Sequence, residues 1–345
     1  MMRSHRLLRM GLVVACLVGP ITAGAKGAAR PAPAGQAVEA AGSNADAVQA
    51  RVEALLRQAS SYLEEDEAKR EAAKAALVDI GAPAVPSLVS RLGTSDVMEQ
   101  IAIFDVLPRM GEPAAAALHE LLQARAPGGE RAASTLERRR AMSLIGTIGS
   151  LSSRPVLLEA CDDPDWVVRS AAAAGLGKLG AQDAEARRRL LALLDDGDWN
   201  VRLRAVLALG DAGVSGEEID LVAGCLLDEH FAVRQAACEI LGDLGEAAVT
   251  AVARRLNTGA PTVVQRATCL EALGRTSSTT AVGPVEPYLT DPSPVVRYYA
   301  AEAFAATASA AEGARCRSLL ETEHHPAVRR ALERAVDALN ASGEG

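Results

Sequence analysis

One segment of this chain is written several times over. DDPDWVVRSAAAAGLGKLG (162–180) returns as DDGDWNVRLRAVLALGDAG (195–213) and again as DEHFAVRQAACEILGDLG (228–245). Anchored on the arginine that usually follows a valine, the series runs Arg169, Arg202, Arg234, Arg266, Arg297 and Arg329, at steps of 33, 32, 32, 31 and 32 residues. Towards the N-terminus the register passes through Arg138, Gln100 and Arg70, with one step of 38 where Ala126-Pro127-Gly128-Gly129 enlarges a loop. The count is nine. A unit of this length cannot bury its apolar face alone, so neighbours must stack around one continuous core.

Within each unit the apolar residues fall three, four and seven positions after the anchor, as in Ala205, Val206 and Leu209 or Ile103, Phe104 and Leu107. That spacing is one stripe of a helix. Glycine often follows at plus eight and plus eleven: Gly177 and Gly180, Gly210 and Gly213, Gly242 and Gly245. The first can let two helices approach, and the second can take the left-handed conformation that ends a helix. A second apolar helix follows, such as Ala184 to Leu194. An acid commonly stands six before the anchor, at Asp163, Asp196, Asp228 and Asp291, with Glu323 and Glu64 at the ends. Asp followed by Pro164 or Pro292 reads as the start of the first helix. A further hypothesis is that the recurring Asp and Arg pair between neighbouring repeats as a ladder.

These residues, D-x-D-W-x-V-R-x-x-A-A-x-A-L-G-x-L-G, resemble the HEAT-like repeat first described in phycobilin lyases. The likeness spans roughly 64–340. It departs in repeats one and two, which lack the Val-Arg pair, and in repeat seven, where Gln265 and Ala260 replace Val and Asp. The resemblance implies an all-α, right-handed solenoid of about nine helix-pair repeats. Composition agrees: 49% of residues are hydrophobic but only 3% aromatic, and small side chains suit closely stacked helices.

The N-terminus has the grammar of an export signal. Arg3, Arg6 and Arg9 precede an apolar run, then Gly19-Pro20 and Ala23-Gly24-Ala25, as in a secretory signal peptide over 1–25. The alternative places a lipidated Cys16 at a lipoprotein cleavage box, which would anchor the chain to the envelope. Cleavage after 25 removes three arginines and no acid, taking the formal charge from −8 to −11. Such a chain is not expected to bind nucleic acid. The remaining organisation reads as an Ala/Gly/Pro-rich flexible tether at 26–43, a capping helix at 44–63 carrying Val48, Val52, Leu55 and Leu56, the solenoid at 64–340, and a disordered tail at 341–345. Cys161, Cys225, Cys238, Cys269 and Cys316 show no C-x-x-C pair, and no disulfide framework is readable.

Signals for chemistry are sparse. Deoxyhypusine hydroxylase relatives of this repeat hold two irons on several His-Glu pairs; here there is one, His119-Glu120. His230, His324 and His325 fall in turns before helices. No G-x-S-x-G elbow or phosphate loop is present. The expectation is therefore a non-enzyme without cofactor or metal: an exported, periplasmic scaffold or adaptor that binds another protein along its surface. The alternatives are a HEAT-like lyase, hydroxylase or cofactor binder, and a lipid-anchored adaptor. Candidate partner contacts are Trp166, Trp199 and Phe231, three before their anchors in consecutive repeats, and Arg187, Arg188 and Arg254 on second helices. Repeat-on-repeat packing and a solvated mixed-charge face are the competing structural readings of these two sets. Glu239, Glu271 and Glu302, five after their anchors, read as a solvated outer face.

Overall fold

The computed structural model describes residues 34–124, 126, 129–179, 183–309 and 312–343. It divides into two units, 1–46 and 47–345, and every repeat belongs to the second. The expected signal peptide, Cys16 and residues 26–33 of the expected tether lie outside the described residues, as do 344–345. The first helix, α1, runs Ala34–Ala59. It starts inside the segment read as a tether, because from Ala34 the chain turns to Ala, Gln and Glu, which favour helix.

The repeat unit is a helix pair. Its first members are α2 (Glu67–Ile80), α4 (Val97–Met110), α6 (Thr135–Ile148), α8 (Trp166–Lys178), α10 (Trp199–Ala212), α12 (Phe231–Asp243), α14 (Val263–Arg275) and α16 (Pro294–Thr307). The second members are α3 (Val85–Val89), α5 (Glu112–Gln123), α7 (Arg154–Ala160), α9 (Ala184–Ala192), α11 (Glu218–Gly224), α13 (Glu246–Asn257), α15 (Val282–Val285) and α17 (Gly313–Thr322). Several second helices begin or end in a 3-10 turn, and α15 continues as one through Thr290. Arg329, the ninth anchor, lies on α18 (Pro326–Gly343), which stacks on α16 without a second helix after it among the described residues. The architecture is an all-α solenoid, with eight pairs and a closing helix among the described residues.

The predicted stripe is the core. Ala205, Val206 and Leu209 are fully buried, as are Ala172, Ala173 and Leu176 one repeat earlier. First helices of successive repeats pack directly against each other along the whole series. What permits this is the glycine at plus eight: a Cβ built on Gly177 would sit 2.7 Å from Ala208 Cβ and 3.0 Å from its Cα, and one on Gly210 would meet Ile240 Cδ1 at 2.6 Å. The glycine at plus eleven holds the left-handed conformation, with φ of 80° at Gly213 and 59° at Gly245. Repeat seven keeps the conformation without the residue, since Ser277 takes φ 50° there.

The acid six before the anchor does not start the helix. The helix caps come two residues later: Asp165 accepts from Val167 and Val168 N–H, Asp198 from Asn200 N–H, and His230 uses Nδ1 to accept from Ala232 N–H. Pro164 and Pro292 precede their helices instead of opening them; Pro294 is the residue at a first turn. The acid is spent elsewhere, because its carboxylate closes the preceding turn and faces back to the previous repeat.

Candidate interaction surface

Four anchor arginines, Arg138, Arg169, Arg202 and Arg297, each join two repeats. Arg169 donates Nη1 to the Asp163 carbonyl of its own repeat at 2.9 Å, and Nε and Nη2 to the two oxygens of Asp196 in the next at 2.7 and 2.8 Å. Arg202 does the same with the Asp196 carbonyl (2.9 Å) and with Asp228 (2.7 and 2.9 Å), and Arg297 with the Asp291 carbonyl (2.9 Å) and Glu323 (2.6 and 3.0 Å). Arg138 grips Asp163 at 3.2 and 3.4 Å. The carboxylates are pre-set by a backbone N–H two residues on, as from Asp198 to Asp196 at 2.9 Å. The ladder hypothesised from sequence is present, and its planar two-point pairing is the geometry only arginine supplies. Two rungs differ. Arg266 stands 3.8 Å from Asp291, and among the described residues Arg234 makes no ion pair, Ala260 standing six before the next anchor where other repeats have an acid.

Two or three positions before six of the nine anchors stand exposed apolar residues. A helix's first residue points past the end of its own packing face, so a large side chain there meets water unless a neighbour covers it. Val97, Trp166, Phe231 and Val263 open α4, α8, α12 and α14, and Leu136, Val264 and Val295 follow one position into α6, α14 and α16. All are exposed, Phe231 at 67% and Trp166 at 40%. Trp199 differs: it packs on the core and its ring stacks on His230 at 3.6 Å and 13°, so it joins repeat five to repeat six. Of the three aromatics found in the sequence, Trp166 and Phe231 thus belong to a longer edge. Its valines and leucine were not legible because branched residues at a helix start look like core. Trp166 and Trp199 also rim an open groove between α6, α8 and α10, floored by Gly146, Ser170 and Ala171.

The second helices carry no free basic patch at the expected positions. Arg187 holds Glu218 (Nε to Oε1, 2.8 Å) and the Gly213 carbonyl, and Arg254 holds Asp220 at 2.5 Å, each in the next or preceding repeat. Arg188 pairs with Glu185 on its own helix, Arg189 with Asp162, Arg154 with Asp183 and Arg315 with Glu286. Arginine contacts hold several carboxyls below their ordinary range, Asp183 at about 2 under Arg154 and Glu218 under Arg187.

Groups with chemistry to offer are sequestered. Among the described residues the five cysteines are free and buried, and burial pushes the thiols of Cys225, Cys238 and Cys269 up to about 12. Such thiols are poor nucleophiles. His119 meets Ser153 at 2.9 Å, yet Ser153 is fully buried, and burial lowers the His119 pKa. Among the described residues no three His, Cys, Asp or Glu side chains converge on one point, and no single helix is long and apolar enough to cross a membrane.

Stacked helix pairs, an inter-repeat Arg–acid ladder and an exposed apolar edge define a helical-repeat protein of the kind that presents an extended surface. The HEAT-repeat family model matches residues 127–196, 186–270 and 259–337, more than half of the chain, and the protein belongs to that family. No curated protein matches the sequence. Solved structures share the fold. Importin beta is 14% identical over 91% of this chain and 55% of its own, with a TM-score of 0.50. The Kap95:Nup1 complex is 15% identical over 84% and 44%, with a TM-score of 0.53. This chain thus spans about half the length of either. The CpcE–CpcF phycocyanin lyase complex of Nostoc sp. PCC7120 is 21% identical over 73% and 93%, with a TM-score of 0.36. The HEAT solenoid is a fold typical of protein-interaction scaffolds.

Proposed function

We propose that this protein is an exported scaffold or adaptor that binds a partner protein along the apolar edge formed by the starts of its first helices. The observation that carries the reading is the recurrence of exposed Val, Leu, Trp and Phe two or three positions before six of the anchors, on first helices from α4 to α16. Large apolar groups kept in water over successive repeats cost solubility, and exposed apolar patches of this kind mark interaction sites. The signal-like sequence at 1–25 supports a periplasmic address, with envelope anchoring through Cys16 as the variant of the same reading.

Affinity purification of residues 26–345 from an envelope extract tests it, together with the mass of the native N-terminus. A stoichiometric protein partner, lost when Trp166 and Phe231 are both changed to Ser while helicity and Tm hold, is the expected result. Retention of that partner by the double variant would sink the edge as the binding site. A lipid-sized mass addition on Cys16 would move the protein from free periplasm to the membrane surface.

A further inference from the structure

The cations expected to be free on the second helices are spent on ion pairs, and uncompensated ones stand on first helices instead. The groove between α6, α8 and α10 has a volume of about 470 Å³. Its lining holds Arg139, Lys178 and Arg204 and, among the described residues, no acid, although the chain carries 44 acids against 36 bases. Arg139 is neutralised by Asp165, whose two oxygens accept from its Nε and Nη2 at 2.9 and 2.6 Å. Lys178 is not: its Nζ donates to the Gly146 carbonyl at 2.5 Å and meets no carboxylate among the described residues. Arg204 is exposed and makes neither an ion pair nor a hydrogen bond among the described residues. The groove between α14 and α16 shows the contrary arrangement, since Glu271 and Glu302 line it and pair with Arg275 and Arg334. Positive charge is thus gathered in one groove of an acidic chain, which favours a negatively charged occupant there.

The same groove offers an apolar wall. Trp166, exposed on the apolar edge, and Trp199 stand on its rim, and the small residues Gly146, Ser170 and Ala171 on its floor leave room for an incoming side chain. We propose that this groove binds an acidic segment of the partner protein that carries an aromatic residue, with its carboxylates over Lys178 and Arg204 and its ring against Trp166. Neither cation has an ion pair to give up on binding, so the new charge contacts are not offset by the loss of old ones. An aromatic ring laid on an exposed indole adds apolar burial and a favourable ring contact. This deepens the scaffold reading and rests on it for the source of the segment. A nucleic-acid strand is a different occupant, disfavoured by the formal charge of −8 and by Asp198 beside Trp199 in the chain.

Trp166 and Trp199 are the chain's two tryptophans and both line this groove, so its intrinsic tryptophan fluorescence reads the site directly. The full chain is titrated with acetyl-Asp-Glu-Phe-Asp-Glu-amide, with its Asn/Gln counterpart, with the acidic peptide in which Phe is replaced by Ser, and with a single-stranded oligothymidylate. The expected result is a saturable change with the acidic Phe peptide that fades as salt screens exposed charges, and binding weaker by about tenfold or more for the neutral and the Ser peptides. Arg204→Glu replaces an attraction by a repulsion and weakens the acidic peptide by about tenfold, with Tm unchanged because Arg204 has no partner to lose. Lys178→Gln acts in the same direction and decides the matter should the first variant fail to fold. No change with the acidic peptide, an equal response to the neutral one, undiminished binding in both variants, or tighter binding of the oligothymidylate overturns the proposal. A partner recovered in the affinity purification while the acidic peptide leaves the fluorescence unmoved would overturn the groove and keep the scaffold reading. Peptide binding with no partner recovered would strike the scaffold reading and leave the groove standing.

Discussion

At the scale of single residues, the sign of a glycine substitution depends on what the repeat puts opposite it. Exchange of Gly for Ala inside a helix normally stabilises by up to about 1 kcal/mol. At Gly177 the added methyl would lie 2.7 Å from Ala208 Cβ and 3.0 Å from its Cα, and neither is the end of a flexible side chain. Gly177→Ala should therefore destabilise, by about 1–3 kcal/mol from overpacking. Ser277 is the converse, a side chain at φ 50° where sister repeats use glycine. Ser277→Gly should stabilise by roughly 1 kcal/mol, the usual cost of a left-handed L-residue. Urea unfolding of both variants reads the two signs. The plus-eight and plus-eleven pattern was legible in the sequence, whereas the size of the gap at Gly177 was not, since it depends on a helix one repeat away.

At the scale of elements, the ladder decides how one helix pair sits on the next. Arg202 and its partner Asp228 are both nearly buried, with side chains 10% and 9% exposed. Removing one member leaves the other's charge without its partner in a desolvated place, which is the expensive way to break a buried pair. Arg202→Gln should cost about 3 kcal/mol. The same exchange at Arg234 should cost far less, because its buried Nε has no carboxylate to lose. Chemical denaturation of the two variants side by side checks the contrast; equal losses would mean that the carbonyl contacts, common to both arginines, carry the joint. The recurrence of Asp and Arg was readable from spacing, and the ladder could be hypothesised from it. Their assignment as helix starts was wrong because the cap falls two residues later, and only the folded turn shows which acid faces which group.

For the whole molecule, the acids govern the pH response. Hydrogen bonds from Arg154 hold Asp183 at about 2, those from Arg297 hold Glu323 low, and those from Arg139 hold Asp165 low. A carboxyl whose folded pKa lies below its unfolded value contributes stability that is complete above the unfolded value and disappears as pH falls through the folded one. Stability attributable to these pairs should be constant from neutral pH down to about 5, then decline between about 4 and about 2. Thermal melts across that range are the measurement, and a decline already under way between pH 7 and 6 would point to histidines instead.

By itself the sequence determined the class of fold, the positions of the core stripes, the close-packing glycines and the register of the Arg and Asp series. Each of these follows from periodicity within a unit of about 32 residues, where the helical repeat dictates which side chains share a face. Tertiary structure alone decided the rest. It turned the expected basic second helices into ion-paired ones, separated the stacked Trp199 from the exposed Trp166 and Phe231, and extended the aromatic row into an apolar edge. All of these are relations between neighbouring repeats, and a contact across that distance depends on how one helix pair lies on the next, a quantity that no local pattern contains.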